Sequence, residues 1–261
     1  MINAMKGFAA RRVFLFGVLA VFFFILLVIL ANIFGAFWPV KFYGPLAGNA
    51  VARSVFIACL ILLLSHLGWL QPAGFRWPGR PQVWLVVLLP TAYATGVSAF
   101  AMSGNLSFSV SSTVDASVHG IFYLIAAFLE ETIFRGIILY AMIRVWGGTK
   151  GGFWRSVLAS TLLFALMHWA DYLGGSLFLN VFLQSLVAFW SGILFSALLL
   201  YGGSIYPAVL AHFVINYGVS LNLTSNQVEP APSNWMLLNL LVIPAGLYGL
   251  YLLWKIKKTA L

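Results

Sequence analysis

Apolar runs long enough to cross a bilayer recur along the chain, divided by short polar breaks. Val13 to Phe37 carries no charge and is longer than the roughly 7–15 residues of a signal-peptide core, so the pattern predicts a retained first helix. Pro39, Lys41 and Pro45 mark a break before Ala50 to Leu70, the second predicted span, which has Arg53 near its start and His66 near its end. A polar connection, Pro72 to Pro81, leads to a third span at Gln82 to Met102, with a kink expected at Pro90. Ser103 to Val118 is rich in Ser, Thr and Asn and suits either an extended loop or a re-entrant segment. The remaining spans are His119 to Trp146, Phe153 to Tyr172, Ser176 to Tyr201, Ile205 to Leu223 and Trp235 to Trp254, with Gly202-Gly203-Ser204 as a tight turn. The expected fold is all-α, a polytopic membrane bundle of about eight transmembrane helices, since about 20 apolar residues cross a bilayer as a helix.

Composition agrees. Hydrophobic residues make up 62% and charged residues 7%, whereas soluble domains are roughly a quarter charged. A net charge of +9 would suggest nucleic acid in a soluble protein. Here Lys6, Arg11, Arg12, Arg76, Arg80, Arg144, Lys150, Arg155, Lys255, Lys257 and Lys258 all fall on the side of the two termini in an eight-span topology, and Lys41 falls opposite. The positive-inside rule makes the terminal side cytoplasmic. Topology therefore accounts for the charge, the expected partner is the lipid bilayer, and no nucleic acid is called for. The single Cys59 offers neither a disulfide framework nor a thiolate metal cluster.

One segment breaks the apolar pattern in a way that lipid does not tolerate. Glu130, Glu131 and Arg135 lie inside the fourth span, although the chain has only five acidic residues. Each would cost about 2.5–3.5 kcal/mol if it stood alone at mid-bilayer depth. Glu131 and Arg135 are four apart and can pair on one helix face, while Glu130 points about 100° away and needs another partner. A structural salt bridge would account for the pair alone. Histidines follow in the same half of the chain: His168 late in the fifth span, and His212 with Asn216 four residues on, both on one face of the seventh. His66 and His119 read as interhelical hydrogen-bonding residues, as do Asn180 and Gln184. Asp171 either orients His168 or marks the end of its helix.

A buried carboxylate beside imidazoles suits water activation. Glu130, which the spacing leaves free of Arg135, is the better general base, and a water between it and His168 could be delivered to a carbonyl carbon. His212 and Asn216 could then donate to the oxyanion. The alternative is zinc held by Glu130, His168 and His212, although the compact H-E-x-x-H signature is absent.

Glu130-Glu131-x-x-x-Arg135, Phe164-x-x-x-His168 and His212-x-x-x-Asn216 together resemble the three-motif pattern of the CAAX-type and bacteriocin-processing intramembrane protease family, CPBP. The resemblance covers about Leu124 to Val219. It implies that Glu130 and His168 activate the water, that His212 and Asn216 bind the oxyanion, and that Glu131 and Arg135 support the site. It also implies a membrane-associated protein or peptide substrate, lipid-modified in some members, and a reaction described both with metal and without. On this reading residues 1–118 hold helices 1–3 and their loops, 119–223 the catalytic core, and 224–261 the last loop, helix and basic tail. The expected enzyme needs no cofactor, with zinc as the alternative. Two other classes share some of these features. A proton-coupled transporter would show repeated halves with broken helices, which the chain lacks. A silent immunity or scaffold protein on the same fold would not need the complete motif set.

Overall fold

A computed structural model describes residues 2–39, 44–77, 84, 92, 113–223 and 232–259. The third predicted span and the Ser- and Thr-rich stretch up to residue 112 lie outside these, apart from two isolated positions. Every regular element among the described residues is helical, and five helices are long and apolar enough to cross a membrane: Val13–Ala36, Gly44–His66, Gly151–Leu173, Phe178–Gly202 and Trp235–Ile256. The chain is thus an all-α polytopic membrane protein.

A short helix α1 (Ile2–Arg11), which the apolar pattern did not reveal, precedes α2 (Val13–Ala36). α3 (Gly44–His66) begins six residues before the predicted start at Ala50. The reason is Pro45, which was expected to mark a loop. It occupies the first turn of the helix, where its missing N–H has no intrahelical partner to lose. The shift places Arg53 nine residues into α3, about 13 Å from its beginning at 1.5 Å per residue.

The fourth span also starts earlier than His119. α4 (Thr113–Glu131) runs directly into a π-helical segment, Thr132–Leu139, and then α5 (Tyr140–Trp146). α6 (Lys150–Met167) is capped by the Thr149 hydroxyl, which accepts from the Gly152 N–H. After a short turn of helix, α7 (Ala170–Leu173), come α8 (Phe178–Gly202), α9 (Tyr206–Leu223) and α10 (Pro232–Thr259). The predicted turn after α8 depends on Gly203, whose φ of 67° is the left-handed conformation that glycine adopts without penalty.

α8 is central and packs on α6, α9 and, most extensively, α10. A Cβ added at Gly249 of α10 would lie 2.9 Å from the Leu194 Cα of α8, so the missing side chain is what permits this close approach. The Asn239 amide donates to the Leu183 carbonyl across the same contact at 2.9 Å. The apolar core around the π segment includes Leu129, Ile133, Phe134, Ile138, Leu139 and Met142, all buried. By contrast, α2 leaves Phe14, Phe22, Phe23, Leu26 and Leu30 exposed on its outer face. Such a continuous apolar surface matches lipid rather than water.

Candidate active site

The three motif segments converge. Glu130, His168, His212 and Asn216, from α4, the end of α6 and α9, line one cavity of about 850 Å³. The two adjacent glutamates face different surroundings. Glu130 keeps 13% of its side chain accessible and lines the cavity, whereas Glu131 is completely sealed.

Glu131 is the hub of the sealed part. Its Oε1 accepts from Arg135 Nη1 at 2.9 Å, the predicted i,i+4 pair, and from His212 Nδ1 at 2.8 Å, a contact the sequence did not suggest. Arg135 Nη2 donates to the Gly192 carbonyl of α8 at 3.1 Å. Its guanidinium lies over two rings, 4.4 Å from the centroid of Phe164 and 5.2 Å from that of Phe195. The second ring also stacks on His212, at 5.0 Å and 20°. Phe164 meets His168 and His212 edge-on, at 5.2 and 5.7 Å. Two phenylalanines therefore position both imidazoles and the arginine, although among the 23 phenylalanines of the chain only the first was marked, through its motif.

The hydrogen bonds place a proton on Nδ1 of both histidines, because a backbone carbonyl or a carboxylate oxygen can only accept. His168 Nδ1 donates to the Phe164 carbonyl at 3.0 Å, which leaves Nε2 as its acceptor. His212 Nδ1 donates to Glu131, and its Nε2 lies 3.5 Å from Glu130 Oε2. That second separation is beyond a good hydrogen bond, so Glu130 stays available to other partners. The Asp171 carboxylate does not hold the His168 imidazole: its Oδ2 accepts from Gln184 Nε2 at 3.2 Å near the cavity, while the Asp171 N–H donates to the His168 carbonyl at 3.0 Å in the turn that follows α6.

The π segment starts at the residue after Glu131. Wider than an α-helix, it needs outside help with its backbone groups, and the Ser160 hydroxyl of α6 donates to the Phe134 carbonyl at 3.0 Å. Thr132 Oγ1 donates back to the Phe128 carbonyl at 2.7 Å. Such π turns recur at functional sites.

Other cavity residues escaped the motif reading. Asn32, Arg53 and Tyr123 line it, and Ser191 of α8 does so with a buried hydroxyl that has no hydrogen-bond partner. The only sequence signal for the α3 group was the Asn49–Arg53 spacing of four, and the misplaced start of that helix concealed it. Among the described residues no three His, Cys, Asp or Glu side chains stand close enough to share a metal ion. Glu130, His168 and His212, the alternative zinc set, do not form such a group in this arrangement.

Residues 112–218 match the family model described as Type II CAAX prenyl endopeptidase Rce1-like. No curated protein and no solved structure matches the chain.

Proposed function

Residues 112–218 being a domain of the CAAX-protease, or CPBP, family, we propose that the chain is an intramembrane endopeptidase in which Glu130 is the general base. The membership itself gives a protease that works at a bilayer on a protein or peptide. The observation that carries the finer reading is the contrast within the glutamate pair. Glu130 is accessible in the cavity, while Glu131 is sealed and committed to Arg135 and His212.

In the proposed step Glu130, assisted by the free Nε2 of His168, takes a proton from water as the oxygen adds to the scissile carbonyl carbon. The carbonyl π bond opens to an oxyanion, which accepts from Asn216 Nδ2 and from the protonated Nε2 of His212. Glu131 holds that ring in place by accepting from its other nitrogen. Glu130 then returns its proton to the departing amine as the C–N bond breaks, which balances the hydrolysis. The cation asymmetry supports a topology with both termini in the cytoplasm. Cysteines introduced at Ser233 and Thr259 should then label from opposite sides, and labelling from one side would reject that topology.

The function is tested with the full chain in proteoliposomes and a library of membrane-anchored peptides. Cleavage by the unsubstituted protein that disappears in Glu130→Gln is the expected result. Cleavage that survives the substitution would remove Glu130 from the role, and an inert protein would favour a silent scaffold on the same fold.

A further inference from the structure

The cavity has a second charged wall that the hydrolytic residues do not use. Arg53 projects from the middle of α3, is 93% buried at 7% relative exposure, and lines the same cavity as Glu130. Its Nε donates to Asn49 Oδ1 at 2.7 Å, Asn49 in turn donates to Asn32 of α2, and its Cζ lies 5.3 Å from the Phe122 ring centroid. Two asparagines from two helices thus hold the guanidinium in place. The neighbouring wall is apolar, formed by Phe24, Ile25, Val28 and Ile29.

Arg135 shows what a merely structural arginine looks like in this fold. It is fully enclosed, ion-paired at 2.9 Å and bonded to a carbonyl, and it does not line the cavity. Arg53 differs on each count. The ion pairs found among the described residues belong to Arg135 and His212 and do not include it, and Glu130 acts on its charge only from a longer distance. Among the described residues it is also the only arginine or lysine lining the cavity. A guanidinium withdrawn from water gains most from a planar, bidentate anion, and a carboxylate fits its fork.

We propose that Arg53, held by Asn49 and Asn32, is an anion subsite that binds a carboxylate of the substrate while the peptide lies across Glu130 and His168. The proposal rests on the peptidase reading for its ligand class. It adds a specificity determinant contributed by α2 and α3, outside the matched residues 112–218. A carboxylate can come from the end of the peptide or from an internal acidic side chain, and the test separates the two. Asp171, the other acid lining the cavity, is held by Gln184.

Full-length protein carrying Glu130→Gln, which prevents turnover, is titrated in detergent micelles with a fluorescent N-dodecanoyl hexapeptide of leucine and alanine. One pair of forms compares the free acid with the terminal amide; a second pair, both amidated, compares an internal Glu with an internal Gln. The charged member of one pair should bind roughly 10- to 100-fold more tightly, the range expected of a charge-assisted hydrogen bond. Adding Arg53→Gln should abolish the difference, and Arg53→Lys should keep part of it. Preference for the free acid identifies the chain terminus, and preference for the internal Glu identifies a side chain. Equal binding within both pairs, no binding of any form, or a preference that persists in Arg53→Gln overturns the subsite. If Arg53→Gln fails to fold, as judged by size exclusion, the paired peptides on the protein retaining Arg53 and on Arg53→Lys decide the matter. Cleavage by the protein with native Glu130 but without a carboxylate preference would sink the subsite alone. A carboxylate preference without cleavage of any peptide would sink the peptidase reading alone.

Discussion

The imidazole of His212 is held by Glu131 and not by Glu130: Nδ1 lies 2.8 Å from Glu131 Oε1, whereas Nε2 is 3.5 Å from Glu130 Oε2. One glutamate of the adjacent pair therefore orients the imidazole, and the other keeps its carboxylate accessible in the cavity. Glu131→Gln preserves shape but weakens two charge-assisted bonds, to His212 and to Arg135. A lost charged hydrogen bond is worth about 1.5–3 kcal/mol, so the cleavage rate should fall roughly 10- to 100-fold. The fall should appear in kcat with KM nearly unchanged, because Glu131 is sealed away from the cavity. A change confined to KM would place Glu131 in contact with substrate.

Arg135 is predicted to matter for folding. Removing it leaves the carboxylate of Glu131 buried without its ion pair, and breaking such a pair costs about 3–5 kcal/mol. Arg135→Ala also vacates the space between the Phe164 and Phe195 rings. The expected outcome is loss of monodisperse protein on size exclusion after extraction. A stable Arg135→Ala protein that binds peptide but does not cleave it would instead give the arginine a direct role in the reaction.

The helices and the site were legible to different degrees, for physical reasons. Apolar runs of about 20 residues announce membrane helices, and the motif spacings place Glu130, Glu131 and Arg135 as well as His212 and Asn216. The extent of α3 was misread because Pro45 looks like a break and acts as a first-turn residue, which kept Arg53 at the apparent edge of the membrane. The π segment left no trace: Thr132 to Leu139 is too short, and too rich in Ile, Phe and Leu, for a periodicity that distinguishes i+4 from i+5 bonding. Contacts between distant segments, such as Phe195 on His212, depend on tertiary packing that single-helix spacing does not encode.

Gly192 illustrates such a hidden contact. A Cβ there would lie 3.0 Å from Thr161 Cγ2, 3.1 Å from Arg135 Nη2 and 3.3 Å from Phe164 Cδ1. Gly192→Ala should push the guanidinium from its place and cost about 1–3 kcal/mol, as overpacking does. Gly148→Ala, where a Cβ meets nothing within 4 Å, is the matched control. Thermal unfolding in detergent should show a clear drop in Tm for the first and little change for the second. Equal Tm values would mean that the surroundings of Arg135 yield freely.

Metal removal separates the two hydrolytic chemistries. If Glu130 acts as the base, dialysis against a strong chelator should leave cleavage of a membrane-anchored peptide within about twofold of its starting rate, because no barrier-lowering ion is lost. Glu130→Gln in the same preparation should abolish cleavage. A zinc enzyme behaves differently: catalytic zinc ordinarily takes three protein ligands, and stripping it ends activity until the ion is restored. For His212 to serve as one of those ligands, Nε2 would have to turn its lone pair to the ion, a state that the Nδ1–H bond to Glu131 permits. His168, whose Nδ1 donates to the Phe164 carbonyl, would have to bring its Nε2 to the same point as Glu130. Such a triad requires these side chains to shift, given that no three donors among the described residues now stand close enough to share an ion. Recovery of a chelated, inactive preparation by zinc alone would replace the base mechanism with a metal-centred one.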